Sequence, residues 1–200
     1  MDGRNTKERI IDAALYKFTA RGFSATTVDE IVAFANVAKG SFYHSFESKE
    51  DLAVASLEEY HRRAQAIIAQ GSYRFTEEPV RRAIEFIQYL QEASGDLWAH
   101  GCMLGSLSIE VAEEYPQIHQ EVDRLFQETQ AIVLHILEPA FKARRLELSG
   151  ADALSQHLLV VIEGAVVLRR GQGRFDHIRL ALERFEHYLC LILGEVTALR

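Results

Sequence analysis

Residues 26–52 read TTVDEIVAFANVAKGSFYHSFESKEDL, and this stretch predicts two short helices joined by a tight turn. Thr27 and Glu30 have the spacing of a capping box, in which the threonine oxygen caps the first helical turn and the glutamate reaches back. Asn36 is the expected end of that helix, because asparagine tolerates the left-handed conformation well. A third helix is then predicted over residues 39–46.

The residues on either side complete a helical head. The preceding stretch, ERIIDAALYKFTARGF over residues 8–23, has apolar side chains such as Ile10 and Phe18 at helical spacing and a stop at Gly22. On the other side, Ser48 begins another capping signature and a long fourth helix. The residues alone therefore predict a three-helix head that contains a helix-turn-helix.

A helix-turn-helix places its second helix in the major groove of DNA. The predicted third helix and its flank carry charged, hydroxyl and imidazole groups, and a glycine that permits close backbone approach, at Lys39, Gly40, Ser41, Tyr43, His44 and Lys49. These side chains suit contacts to phosphates and base edges. The alternative is that they are ordinary surface residues of a helical domain.

The stretch 26–52 resembles the DNA-binding signature of the TetR family of transcriptional regulators, and the helix before it matches that family too. The resemblance implies an all-α fold, with a three-helix helix-turn-helix head and a helical ligand-binding and dimerisation body. It also implies that phosphates or bases are contacted by Thr27, Lys39, Ser41, Tyr43, His44 and Lys49. Two positions depart from the family pattern, Asn36 in place of a common glycine and Ala38 in place of a common serine. The third helix is therefore expected to lack a side-chain cap.

The rest of the chain is predicted to be helical as well. Helices are expected near residues 77–93, 102–114 and 116–144, with Pro139 kinking or ending the last of them. Breaks are expected at residues 71–76, 94–96 and 149–152. The chain is thus divided into a DNA-binding domain, residues 1–47, and a ligand-binding and dimerisation domain, residues 48–200.

The last two helices carry apolar residues at heptad spacing. One has Leu154, Leu158, Val161, Ala165 and Leu168, and the other has Ile178, Leu182, Phe185, Leu189, Ile192 and Val196. Such a seam packs helices nearly parallel or antiparallel, either as a hairpin within one chain or between two chains. The TetR resemblance favours a homodimer, which would present two heads to one face of DNA about 34 Å apart and would require a palindromic operator.

Charge and composition restrict the class of protein. Residues 1–50 have seven basic and seven acidic side chains, so the net charge of −7 lies in residues 51–200 and the neutral head can approach phosphates. No apolar run is long enough to span a bilayer, no signal-peptide core begins the chain, and two cysteines are too few for a disulfide framework. A cytoplasmic protein without a membrane partner, nucleoid-associated when bound to DNA, is expected.

Catalytic signatures are missing from the sequence. It contains no nucleophile elbow, Walker loop, dinucleotide fingerprint or paired-histidine metal motif. We therefore expect no enzymatic activity, no cofactor and no metal site.

A small-molecule effector is implied by the family resemblance, because the family's bodies hold a ligand pocket between their middle helices. Apolar and aromatic residues are the candidates for its lining, although each also suits a plain core: Phe86, Tyr89, Leu90, Trp98, Met103, Leu107, Leu125, Phe126 and Thr129. Glu163 is a carboxylate between LLVVI and GAVVL. It either pairs with Arg169 or Arg170 or contacts a cationic ligand.

Cys102 is a candidate ligand-contacting and sensing residue. It lies in GCMLGSLSIEV, residues 101–111, which resembles a segment from a branch of the family that includes sensors of reactive electrophiles. A helix start at this point would favour the thiolate form. The alternative is a small residue packed at a helix start, and Cys190 is expected to be buried and inert.

The sequence therefore predicts a ligand- or stress-responsive transcriptional repressor. It would bind double-stranded operator DNA as a dimer and be released by a small-molecule or electrophile effector. Two alternatives stay open: an all-helical small-molecule carrier or enzyme with a relic head, and a helical adaptor that dimerises through its last two helices.

Overall fold

A computed structural model describes residues 5–111, 114–172 and 176–195, and all regular secondary structure in those ranges is helical. The α-helices are α1 (Thr6–Arg21), α2 (Val28–Ala35), α3 (Lys39–Ser45), α4 (Lys49–Ile68), α5 (Pro79–Glu92), α6 (Ser94–Trp98), α7 (Met103–Val111), α8 (Pro116–Ala143), α9 (Leu148–Gln172) and α10 (His177–Leu193). A short 3-10 helix, Ser72–Phe75, lies between α4 and α5. The predicted all-α fold is confirmed.

The helix caps and the helix end predicted for the head are present in the structure. Glu30 N–H donates to the Thr27 hydroxyl over 3.2 Å, and Thr27 N–H donates to a Glu30 carboxylate oxygen over 2.9 Å, which completes the capping box. These bonds and Arg21 lower the pKa of Glu30 to about 2. Asn36 ends α2 in the left-handed conformation. Ala38, the residue directly before α3, supplies no side-chain cap.

The core of the head is made by one apolar face from each helix. Ile10 and Phe18 of α1, Ile31 of α2 and Phe42 of α3 are completely buried. Arg9 fastens α1 to the end of α2, because its guanidinium donates to the carbonyls at positions 35 and 36 over 2.6 and 2.8 Å. These carbonyls are among those that a helix end leaves without intrahelical partners.

The first compact unit is larger than the three-helix head. It includes the described residues up to position 64 together with positions 100–126, so α7 and the start of α8 belong to it. The rings of Phe23 and Tyr115 meet edge to face, with centroids 4.9 Å apart. The functional division at residue 47 stays a prediction, since compactness alone does not say which residues contact DNA.

The second unit contains residues 65–99 and those from 127 onward. Its α10 packs against both α5 and α9. Gln88 and Gln91 of α5 donate to the Glu186 carboxylate of α10 over 2.7 and 2.6 Å. A helix–helix core of this kind is the expected architecture for an all-α body.

Two predicted boundaries in this unit are wrong. Residues 94–96 do not turn the chain but start α6, because Asp96 and Leu97 both donate their N–H groups to the Ala93 carbonyl. The predicted break at residues 149–152 lies instead within the first turns of α9, which begins at Leu148. Of the two outcomes predicted for Pro139, an end of the helix does not occur, because α8 continues to Ala143. A proline removes one helical hydrogen bond, and the surrounding packing can hold the remaining ones.

The heptad seam lies inside the protomer, so its assignment to the dimer interface is wrong. Leu154 and Leu158 of α9 are buried, and so are Leu182, Phe185 and Leu189 of α10. Val161 and Ile192 are half-buried, Leu168 is exposed, and Val196 lies outside the described residues. The seam therefore packs α9, α10 and α5 within one chain.

A second apolar stripe is exposed on the same two helices. On α9 it contains Val160, Gly164, Val167 and Leu168, and on α10 it contains Leu180, Tyr188 and Leu191. Val160 is 68% exposed and Leu191 is 75% exposed. Their spacings of three, four and seven or eight residues place each set on one helix face. We call this set the exposed stripe.

The exposed stripe also accounts for the high hydropathy of α9. Within Leu148–Gly171 an 18-residue window has a mean hydropathy of 1.5, enough by length and composition for a membrane span, and 39% of that window is buried within the chain. A helix that is apolar on one face for the core and on another for a partner has the same composition. Its composition alone is therefore weak support for a membrane role.

Candidate nucleic-acid interface

The short helix α3 has one buried face and one open face. Phe42 and Phe46, four residues apart, pack into the head, with the Phe42 ring at the centre of its core. Gly40, Tyr43 and His44 have the i, i+3, i+4 spacing of a single face and are exposed, and Tyr43 is 59% exposed. A Cβ at Gly40 would meet no heavy atom within 4 Å. The face is thus open to a large partner.

Two further predicted residues lie at the starts of α3 and α2. Lys39, the first residue of α3, pairs with Asp29 in the first turn of α2 at 2.7 Å, and this hydrogen bond raises the pKa of Lys39. Both side chains are exposed, so the pair is worth little and the ammonium can exchange the carboxylate for a phosphate. Thr27 is exposed at the start of α2. Ser41 is half-buried, and its carbonyl accepts from the Ser45 hydroxyl.

Lys49 is placed differently from the other six predicted residues. Its ammonium donates to the carbonyls of Phe23 and Thr26 over 3.0 and 3.1 Å, and it lies 4.0 Å from the centre of the Phe23 ring. Phosphate contact by Lys49 stays a prediction. The observed contacts give the side chain a positioning role on the segment that joins α1 to α2.

Glu110 of α7 binds the same segment, a contact that no pattern in the sequence predicts. Its carboxylate accepts from the backbone N–H groups of Phe23 and Ser24 over 2.8 and 2.6 Å. Gly22 allows this approach, because a Cβ there would lie 2.6 Å from a Glu110 oxygen and the backbone has a φ of +89°. We call residues 22–26 the clamped turn.

An aromatic pair also joins α1 to α2 on the surface of the head. Tyr16 and Phe34 stack with ring centroids 5.0 Å apart and planes within 2° of each other, and the Lys17 ammonium lies 5.1 Å from the Phe34 ring centre. Stacked rings and a cation over a ring each add a modest attraction. The pair is therefore one surface contact between α1 and α2, added to the buried core that holds the head together.

The predicted effector residues fall into both compact units. Cys102, Met103, Leu107 and Phe126 belong to the first unit, and Phe86, Tyr89, Trp98 and Glu163 belong to the second. Met103, Leu107 and Phe86 are core residues with almost no exposed surface. The Tyr89 hydroxyl donates to the Ile67 carbonyl over 2.6 Å. Their role as ligand contacts stays a prediction.

Side chains of the types that bind metal ions do not form a cluster in the part of the chain that the structure describes. Over residues 5–111, 114–172 and 176–195, no three His, Cys, Asp or Glu side chains are grouped closely enough to hold a metal ion.

Arg169, one suggested partner of Glu163, donates to the carbonyls of Trp98 and Ala99.

We expect Glu110→Ala to lower the melting temperature by about 3–8 °C, because one part-buried and one exposed N–H group lose a charged acceptor. Lys49→Ala should also lower it, since two turn carbonyls lose their donor. Differential scanning calorimetry measures both effects. Glu58→Ala, at an exposed position of α4, is the control for the loss of a carboxylate. Equal melting temperatures for Glu110→Ala and Glu58→Ala would show that the clamped turn does not depend on the carboxylate.

Two family models match the chain. Bacterial regulatory proteins of the tetR family match residues 10–55, and the C-terminal domain of transcriptional regulators of the LmrA/YxaF type matches residues 78–183. The second model alone spans more than half of the chain. The two matches cover both the head and most of the body.

Curated proteins and solved structures give the same picture. The chain is 28% identical over 165 residues to the HTH-type transcriptional repressor DhaR of Mycobacterium sp. (strain GP1), covering 80% of each chain. It is 26% identical over 145 residues to the HTH-type transcriptional repressor NemR of Escherichia coli (strain K12), covering 70% of this chain and 69% of NemR. The crystal structure of the regulatory protein TetR from Rhodobacter sphaeroides matches with a TM-score of 0.77 and 25% identity, covering 90% of this chain and 97% of that one.

Proposed function

Because the chain belongs to the TetR family of bacterial regulatory proteins, it is a DNA-binding transcriptional regulator, and we propose that it represses transcription from a palindromic operator as an effector-released dimer. The relatives DhaR and NemR are both named as transcriptional repressors, which supports the direction of the regulation. A bound dimer would block access of RNA polymerase to the promoter.

The observation that carries the proposal is the open face of α3. Gly40, Tyr43 and His44 share it, and Lys39 is the first residue of the same helix, while Phe42 anchors the opposite face in the core. A hydroxyl, an imidazole, an ammonium and a bare backbone on one helix suit a major groove, where phosphate contacts position the helix and base contacts specify it. Because the first fifty positions contain equal numbers of basic and acidic residues, this part of the chain has no net negative charge that would repel phosphates.

The exposed stripe supports dimerisation by α9 and α10. Val160, Val167 and Leu191 are large apolar side chains more than half exposed, and Gly164 has open space around it that lets a second helix approach closely. Apolar patches of this extent on a regulatory protein mark contact surfaces. A two-fold dimer would present two α3 helices to successive major grooves.

Release by an effector completes the proposed function. A ligand can shift the protein only if it binds one conformation more tightly than the other. In the released conformation the two heads would no longer match the spacing of one DNA turn. The candidate contacts are those predicted from the sequence, with Cys102 as the candidate for a covalent effector.

Selection of bound duplexes from a random DNA library tests the proposal. We expect the full chain to enrich inverted repeats whose half-sites are centred about one helical turn apart. A mobility shift on the enriched duplex, and on the same duplex with one half-site scrambled, then measures the two-head requirement. Failure to enrich any sequence would favour the carrier, enzyme or adaptor alternatives. Enrichment of single half-sites would remove the palindrome from the proposal.

The environment of Cys102 supports its proposed role as a covalent sensor. Cys102 directly precedes α7, after Gly101, whose φ of +106° makes the bend that starts this helix. The thiol is buried, with 4% of the residue exposed, so an adduct would force its neighbours to move. Glu110 near the other end of α7 binds the clamped turn, which gives a route from the thiol to the head within one unit.

We expect N-ethylmaleimide or a quinone to release operator from the wild-type protein and not from Cys102→Ser. A thiolate is the nucleophile in the reaction, and serine cannot replace it. Fluorescence anisotropy of a labelled operator gives the fraction released. The control is Cys190→Ser, which removes the other buried thiol. Equal release in wild type and Cys102→Ser, or no release from either, would leave Cys102 as a packing residue.

A further inference from the structure

A groove of about 650 Å³ lies entirely within the second unit. It is bordered by the 3-10 helix Ser72–Phe75, by the first turns of α5 and by the later half of α8. Its size is typical of sites that enclose a drug-sized ligand. None of its lining residues is among the effector contacts predicted from the sequence.

One side of the groove is cationic. Arg74 and Arg82 line it, and each is held in place through a backbone carbonyl. Arg74 donates to the carbonyl of Ala69 over 2.6 Å, and the Arg82 Nε donates to the carbonyl of Thr76 over 2.6 Å. These bonds fix the guanidinium groups and leave most of their N–H donors for another acceptor.

Arg74 and Arg82 are positively charged in a part of the sequence that is acidic overall. Residues 51–200 contain 22 acidic and 15 basic side chains, yet within the described ranges neither Arg74 nor Arg82 has a carboxylate at ion-pair distance. The neighbouring Arg81 differs, because it pairs with Glu85 at 2.7 Å. Two fixed guanidinium groups without carboxylate partners form a site for an anion.

The opposite side of the groove is apolar. Ala131, Ile132, Ile136 and Pro139 of α8 line it, and their spacing places them on one helix face around His135. Tyr73 of the 3-10 helix also lines the groove. Its hydroxyl already donates to the Ile68 carbonyl over 3.0 Å. A ligand here would therefore meet mainly carbon atoms, together with the His135 imidazole, on one side and two guanidinium groups on the other.

We propose that this groove binds an organic carboxylate with an apolar body, whose anionic group lies against Arg74 and Arg82 and whose body lies along α8. Its role as the effector site rests on the proposed repressor function, whereas binding itself does not. An effector in this groove would contact α5 and α8, and it would thereby act on the packing of these helices in the second unit.

Isothermal titration calorimetry with decanoate tests the groove directly. We expect the wild-type protein to bind decanoate, and the variant Arg74→Gln with Arg82→Gln to bind it at least roughly tenfold more weakly, since charge-assisted hydrogen bonds are lost. Ala131→Trp, at an exposed position of α8, should block binding while keeping both arginines. Arg81→Gln removes the same charge beside the groove and should bind like wild type.

Three further titrations separate the chemistry of the ligand. Acetate and inorganic phosphate supply an anion without an apolar body, and decanol supplies the body without the anion; each should bind at least roughly tenfold more weakly than decanoate. Equal affinity of decanoate for wild type and both groove variants, or equal binding of decanol and decanoate, would overturn the proposal. So would the absence of any decanoate binding.

Measurements of operator binding then separate the proposed ligand site from the proposed repressor function. With the selected operator, decanoate should weaken binding by the wild type and leave Ala131→Trp unchanged. If the free protein binds no DNA, the repressor function fails while the calorimetry still decides the groove. If decanoate binds in the groove but leaves operator affinity unchanged, the effector role fails.

Discussion

Val160→Glu combined with Leu191→Glu is expected to convert the protein into a folded monomer with at least about 100-fold lower operator affinity, because a single head contacts only half of a two-fold site. Both side chains are exposed in the protomer, so glutamate is tolerated there in the monomer. In a dimer that buries the exposed stripe, the same carboxylates would be desolvated without partners. Analytical ultracentrifugation measures the mass, and circular dichroism measures the fold.

Matched variants separate the exposed stripe from the buried seam. Leu182→Glu with Leu189→Glu places two unpaired charges in the core of one protomer, where both leucines have no exposed surface. The cost of several kcal/mol is comparable with the whole free energy of unfolding of a domain, about 5–15 kcal/mol. That variant should therefore unfold. Phe75→Glu, at an apolar position that is 86% exposed and outside the stripe, should remain a folded dimer.

The opposite pattern would place the interface elsewhere. If Val160→Glu with Leu191→Glu sediments as a dimer, α9 and α10 do not hold the two chains through the exposed stripe. If Leu182→Glu with Leu189→Glu is a folded monomer, the heptad seam is intermolecular after all.

Tyr43→Ala should lower operator affinity by about 30-fold or more without changing the oligomeric state or the melting temperature. Each good contact to DNA contributes about 1–3 kcal/mol, and a symmetric dimer loses two such contacts at once. The Tyr43 side chain lies on the open face of α3, with its ring against the edge of the Phe42 ring, so its removal leaves the core intact. Fluorescence anisotropy with the selected operator measures the loss.

Salt dependence and a second tyrosine make this prediction specific. Tyrosine neutralises no phosphate, so the slope of log affinity against log salt should not change for Tyr43→Ala. For Lys49→Ala it should fall by about one if the ammonium also reaches a phosphate, and stay constant if the side chain only positions the clamped turn. Tyr16→Ala, which removes a 48% exposed tyrosine from α1, should affect operator binding far less. A loss as large as that of Tyr43→Ala would indicate that the DNA-contacting surface is not α3.

The helix-turn-helix could be predicted because its signals are local. The capping box of Thr27 and Glu30 lies within one helical turn, and Asn36 takes up a backbone conformation that its own side chain tolerates. The alternation of Phe42 and Phe46 with Gly40, Tyr43 and His44 separates the buried face of α3 from its open face. Each of these features depends on residues at most four positions apart, so the chain order already contains the geometry.

The sequence by itself determined the all-helical class, the helix-turn-helix and the residues on the open face of α3. Only the tertiary structure decided which apolar face of α9 and α10 is core, because both faces have helical periodicity and periodicity does not say what covers a face. It also brought Glu110 to Phe23, 87 positions away in the chain, and Arg82 to the wall formed by Ile136. Such contacts arise when separate helices pack, and a pattern that repeats every few residues carries no record of which helix is the neighbour.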